Sequence, residues 1–100
     1  MILYLVELEM DASLRDEYMA WLQEHVREMR ALPGFTGAEI LAPVDPLPPT
    51  GRSVVCVQYR LRDRKAWDHY LAEHAPRMRE AGRARFGERV RASRRLLERI

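Results

Sequence analysis

Apolar and polar residues alternate from the start of the chain. Ile2, Tyr4, Val6 and Leu8 fall on one face of an extended strand, and Leu3, Leu5, Glu7 and Glu9 on the other. One face is apolar throughout and the other for half its length, so this strand needs cover on both sides. The period then lengthens. Leu14, Tyr18, Trp21, Leu22, His25, Met29 and Leu32 gather on one side of a wheel turning about 100° per residue. That spacing predicts a helix from Ser13 to about Leu32, with His25 near the centre of its buried stripe. Asp11 and Ser13 are N-cap candidates, and Ser13 with Asp16 resembles a capping box.

Pro33-Gly34 stops this helix, because proline disfavours helical geometry in its predecessor and glycine permits the reversal. Phe35 to Ala42 reads as a second strand. Pro43, Pro46, Pro48 and Pro49 then remove too many N–H donors for a strand, which predicts an extended hairpin loop. Arg52 to Leu61 is a third strand, with Val55, Val57, Tyr59 and Leu61 on one face and Val54, Cys56, Gln58 and Arg60 on the other. Asp63 caps a second helix that carries Trp67, Leu71, His74 and Met78 on one face, with Tyr70 at its edge, and runs to Phe86-Gly87. Pro76 inside it predicts a kink or a restart near His74-Ala75. From Glu88 to Glu98 local pattern fits a strand through Val90, Ala92 and Leu96, and equally a helix through Phe86, Val90, Leu97 and Ile100. Topology decides. Strand, helix, strand, strand, helix and a sixth element make the βαββαβ order of the α+β ferredoxin-like fold. In that fold the sixth element is a strand beside the first in a four-stranded antiparallel sheet.

Composition adds limits. A chain of 100 residues, 47% hydrophobic and 32% charged, supports a single domain over 1–100. No apolar run reaches the roughly 18 residues of a membrane span, and the start does not read as a basic leader, so a cytoplasmic protein is expected. The lone Cys56 excludes an internal disulfide and a multi-cysteine metal cage. His25, His74 and an acid lack the short spacing of metal ligands, so no metal is expected. Residues 1–59 hold four basic and nine acidic side chains, and residues 60–100 hold thirteen and six, giving −5 against +7. Such a split suits a nucleic-acid surface, but it is met more simply by halves that neutralise each other within one fold or across a dimer.

The candidate chemistry lies in the histidines and aromatics. His25 and His74 each sit on the sheet-facing stripe of a helix, where both would look into one cavity. Tyr4, Tyr18, Tyr59 and Tyr70 are available partners, and a histidine bonded to a tyrosine in an apolar pocket serves as a general acid or base near neutrality. Trp21 and Trp67 would wall that pocket, and Arg77, just after Pro76, would hold an anionic ligand at one end. The plainer reading of the same residues is two satisfied core histidines among core aromatics. There is no glycine-rich phosphate loop and no Gly-x-Ser-x-Gly elbow. Helices cover only one face of this sheet, so Leu3, Leu5, Val54 and Cys56 leave an apolar patch on the other, which predicts a homodimer through the open face.

Leu32-Pro33-Gly34-Phe35-x-Gly37 and Tyr70-x-x-x-His74-x-Pro76 resemble the dimeric α/β barrel superfamily, which holds antibiotic-biosynthesis-type monooxygenases and muconolactone isomerases. Val57-Gln58-Tyr59-Arg60-Leu61-Arg62, Leu71-Ala72-Glu73-His74-Ala75-Pro76-Arg77-Met78 and Ala84-Arg85-Phe86-Gly87 resemble, more narrowly, the bacterial domain-of-unknown-function family 4286. The resemblance spans the chain. It implies a dimeric ferredoxin-like barrel acting without a cofactor on a small aromatic or apolar ligand, as a monooxygenase or isomerase. The alternative is a non-catalytic ligand-binding or structural dimer. Haem-degrading members of the superfamily resemble an Asn, Trp and His set; Trp67 and His74 match two of these, but the chain contains no Asn. Besides a second copy and a small ligand, no membrane partner is implied, and nucleic acid remains the rival class.

Overall fold

The computed structural model describes residues 1–100. The chain runs through strand β1 (Ile2–Asp11), helix α1 (Arg15–Arg30), strands β2 (Phe35–Leu41) and β3 (Arg52–Leu61), helices α2 (Arg64–Glu73) and α3 (Ala75–Phe86), and strand β4 (Val90–Glu98). Short 3-10 turns at Ala12–Leu14 and Gly87–Arg89 precede α1 and β4. The strands form one antiparallel sheet in the order β2-β3-β1-β4, which is the ferredoxin-like arrangement.

β1 and β3 pair along their full length, from Ile2 opposite Leu61 to Asp11 opposite Arg52. Their common register puts Ile2, Tyr4, Leu8 and Met10 beside Val55, Val57, Tyr59 and Leu61 on the helix side, all buried. The other side carries Leu3, Leu5, Val54 and Cys56, half-buried and without a helix over them. β4 occupies the free edge of β1, from Ile2 opposite Glu98 to Met10 opposite Val90. Burial holds it only weakly, since none of its residues is buried and only Val90 is half-buried. A central strand with one unpaired edge would leave a row of backbone donors and acceptors unsatisfied, and β4 supplies their partners.

The helix starts differ from the expected capping box. Asp11, not Ser13, is the cap: its carboxylate accepts from Ser13 N–H at 2.9 Å and from the Ser13 hydroxyl at 2.7 Å. These bonds hold its pKa below the usual carboxylate value. They organise the 3-10 turn, and α1 begins only at Arg15. Arg15 Nη1 donates to Ser53 Oγ at 2.9 Å, tying this end of α1 to β3. At its far end Gly34 has φ 85 and packs so closely on Ala66 that a side chain there would collide.

The second helical stretch restarts where proline requires it. α2 ends at Glu73, His74 has φ −129 and ψ −32, and α3 opens with Pro76 in its first turn, where a missing N–H costs nothing. Both helical stripes are rotated from the sequence wheels. On α1 the buried residues are Tyr18, Leu22, Val26 and Met29, continuing from Leu14 in the preceding turn, so Trp21 and His25 sit at the stripe's edge. On α2 the buried pair is Ala66 and Tyr70, while Leu71 is 39% exposed.

Candidate functional site

α1 packs beside β2 and α2 beside β3, with the edge strand β4 at the opposite side of the sheet. A cavity of about 380 Å³ opens toward that edge. Its floor is the helix side of the sheet, Tyr4, Val6 and Leu8 with Val57 and Tyr59, extended at the β4 edge by Val90, Ala92 and Arg94. One wall is the edge of the α1 stripe, Tyr18, Trp21 and His25, and the other is Arg79, Gly82 and Arg83 of α3. Gly82 lets that wall come close, since a β-carbon there would stand 3.2 Å from Trp21 Cη2.

The aromatic side chains form two groups. Tyr4 stacks on Tyr59 with ring centroids 5.7 Å apart, and packs on Trp67 at 4.7 Å and Tyr70 at 6.0 Å. Tyr18, Trp21 and Phe86 meet edge to face or tilted, and Trp21 carries His25 stacked on it at 4.6 Å and 17°. Burial lowers the His25 pKa, with the Glu28 carboxylate opposing it in part, so the imidazole is neutral near neutrality. No protein group hydrogen-bonds its ring nitrogens. Burial also pushes Tyr18 and Tyr70 up to about 12 and Tyr59 higher still, so all three hydroxyls remain protonated donors.

Of the residues singled out in the sequence, Tyr4, Tyr18, Trp21, His25, Tyr59 and Tyr70 line this cavity, whereas Trp67, His74 and Arg77 do not. Trp67 backs the cluster through its contacts with Tyr4 and Tyr70. His74 lies at the break between α2 and α3, its Nδ1 2.7 Å from Arg77 Nη2 and its ring 5.5 Å from that of His69. The expected convergence of His74 with His25 is therefore corrected. A wheel drawn through Pro76 assumes one continuous helix, whereas the helix breaks at His74, and neither His74 nor Arg77 reaches the cavity.

The sequence reading missed Arg79, Gly82, Arg83 and Arg94. Arg79, Gly82 and Arg83 follow i, i+3, i+4 spacing on the restarted helix, and Arg94 continues the alternation Val90, Ala92 on β4. Arg94 Nε donates to Tyr4 Oη at 3.1 Å, and Arg79 Nη2 reaches the same oxygen at 3.5 Å. No three His, Cys, Asp or Glu side chains are grouped as metal ligands would be.

A family model described as Domain of unknown function (DUF4286) matches residues 1–100. No curated protein matches the chain. Among solved structures, the chain is similar to SnoaB, a cofactor-independent oxygenase from Streptomyces nogalater, at TM-score 0.67 and 17% identity, covering 98% of this chain and 92% of that one. It is similar to the heme-degrader MhuD from Mycobacterium tuberculosis, solved with two hemes in its active site, at TM-score 0.70 and 18% identity, covering 100% and 96%. It is also similar to an ethyl tert-butyl ether d (ethd) family protein from Bacillus halodurans, at TM-score 0.68 and 13% identity, covering both chains fully. At these identities the likeness is one of fold. No helix is long and apolar enough to cross a membrane.

Proposed function

The chain belongs to the domain-of-unknown-function family DUF4286, whose description assigns no reaction, and from that premise we propose a cofactor-independent monooxygenase or isomerase acting on a small aromatic or apolar ligand in the cavity beside His25. The observation that carries this reading is a neutral imidazole with unengaged ring nitrogens on the wall of an aromatic-lined cavity. Such a group accepts a proton from an acidic C–H or O–H of a bound ligand. Returning that proton to another carbon is an isomerisation. Alternatively the carbanion gives its electrons to dioxygen, and a CH2 flanked by aromatic rings becomes a carbonyl with one water released. The ligand is then the reductant and dioxygen the oxidant, so the protein supplies only a base and a dry, shaped site. Likeness to a cofactor-independent oxygenase supports that class by analogy of fold.

One observation favours the alternative, a non-catalytic binding dimer. His25 has no hydrogen-bonded group to orient it, whereas a dedicated base is usually held by a third residue. Oxygen uptake and proton exchange separate the two readings. A panel of anthrone-type and phenolic compounds is first screened by thermal shift, then assayed for turnover with wild type and His25→Phe. Turnover lost in the variant supports catalysis, and binding without turnover supports the alternative. Binding of no compound, with no turnover, overturns both.

The open sheet face supports a two-fold homodimer, the dimeric barrel expected of this architecture. Leu3, Leu5, Val54 and Cys56 are flanked there by Leu41 at 44% and Leu97 at 37% exposure, an apolar surface a monomer leaves wet. The nucleic-acid class is tested separately by filter binding at rising salt, where phosphate-driven affinity falls steeply.

A further inference from the structure

The cavity is lined by Arg79, Arg83 and Arg94 and by no Asp or Glu. Arg83 is answered by Glu80 at 3.2 Å on the exposed side of α3, but Arg79 and Arg94 take part in none of the ion pairs in the chain. Instead both guanidinium groups lie within hydrogen-bond distance of one neutral acceptor, the Tyr4 oxygen. Two like charges so placed repel each other, and a phenol oxygen offsets little of that. Arg79 Nε is in addition buried and has no hydrogen-bond partner. A buried guanidinium N–H without an acceptor is costly. Arg94 also acts on the tyrosines lining the site, since its charge opposes the burial that raises Tyr18 and Tyr70.

From this convergence we propose that the ligand is an aromatic acid whose carboxylate sits between Arg79 and Arg94 beside Tyr4, with its planar body lying toward Trp21 and His25. The inference rests on the cavity being the ligand site, and it names the charge and orientation of what enters. A carboxylate neutralises both guanidinium groups at once, which the Tyr4 oxygen does not. The arginines then anchor one end of the ligand while the aromatic wall positions the other.

The test uses 2-naphthoate and its neutral isostere 2-naphthamide, titrated into wild-type protein by calorimetry. The carboxylate should bind at least about tenfold more tightly than the amide, the scale of a charge-assisted hydrogen bond. Added salt should weaken the acid and not the amide. Arg94→Gln and Arg79→Gln should each shrink the preference, whereas Arg77→Gln, outside the cavity, should keep it. In Arg79→Met the preference should be lost while the melting temperature of the unliganded protein holds or rises, because an unpartnered buried group has been removed. A fall in melting temperature with the preference intact makes Arg79 a structural residue and overturns the assignment. Equal binding of acid and amide overturns the anion site and leaves the cavity reading standing. If neither compound binds, or if Ala92→Phe, which fills the cavity from the exposed edge strand, binds both as wild type does, the cavity reading falls with it.

Discussion

Tyr4 and Tyr59 offer a matched pair of substitutions. They are register partners on β1 and β3, their rings stack at 5.7 Å, each is 2% exposed, and both line the cavity. They differ in what the hydroxyl meets. Tyr4 Oη accepts from Arg94 Nε at 3.1 Å and from Arg79 Nη2 at 3.5 Å, whereas Tyr59 has no such partner and its phenol is raised chiefly by burial. Tyr4→Phe removes one well-formed bond from a charged donor, worth about 1.5–3 kcal/mol. The second contact is at the limit of hydrogen-bond distance and adds little. Arg94 lies on the exposed edge strand, so water recovers part of its loss, and the net cost should be about 1–2 kcal/mol. In a chain of this size each kcal/mol lowers the melting temperature by about 4–8 °C. Tyr59→Phe deletes a hydroxyl that bonds nothing in the protein and should stay within about 0.5 kcal/mol of wild type. The assay is thermal and urea unfolding followed by circular dichroism, at one protein concentration so that self-association contributes equally. Equal shifts in the two variants, or a larger loss at Tyr59, would refute the assignment of the Tyr4 oxygen as the acceptor that holds the two arginines.

Light scattering should report a homodimer at micromolar concentration, and Leu5→Asp, on the open face, should dissociate or unfold it; a monomeric wild type refutes the interface. Because burial lowers the His25 pKa, the unfolded chain takes up this proton first. The stability it contributes is fully present above about pH 6.5 and is lost as pH falls through the lower folded value. His25→Phe should therefore flatten the stability profile on the acid side, and parallel profiles for wild type and variant count against a buried, neutral imidazole. Asp63 Oδ1 caps α2 by accepting from Ala66 N–H at 2.8 Å, so Asp63→Ala should cost about 1 kcal/mol in urea unfolding while Asp63→Asn keeps most of it. An Asn variant as damaged as the Ala variant would show that charge, rather than the cap bond, matters there.

By itself the sequence determined the elements and their order. Period-two alternation in Ile2 to Glu9 and Arg52 to Leu61, the helical spacing of Leu14 to Met29, and Pro76 with its restart at His74 are local signals, because strand pleat, helix pitch and a missing N–H act within a few residues. The open apolar face was legible for the same reason. Tertiary structure decided the rest. β4 is a strand because β1 has an edge to fill, a demand that originates far from Val90 to Glu98, whose own pattern fits a strand and a helix equally. The stripes of α1 and α2 are turned by packing on the sheet, so the wheels omit the buried Val26 and Ala66 and include the exposed Leu71, and Trp21 and His25 border a cavity at the stripe's edge. Arg79 and Arg94 meet at Tyr4 from a helix and an edge strand that are brought together only when the sheet closes its order. In the linear chain they are two arginines in a run of them, and no short-range rule separates a charge facing water from one facing a cavity.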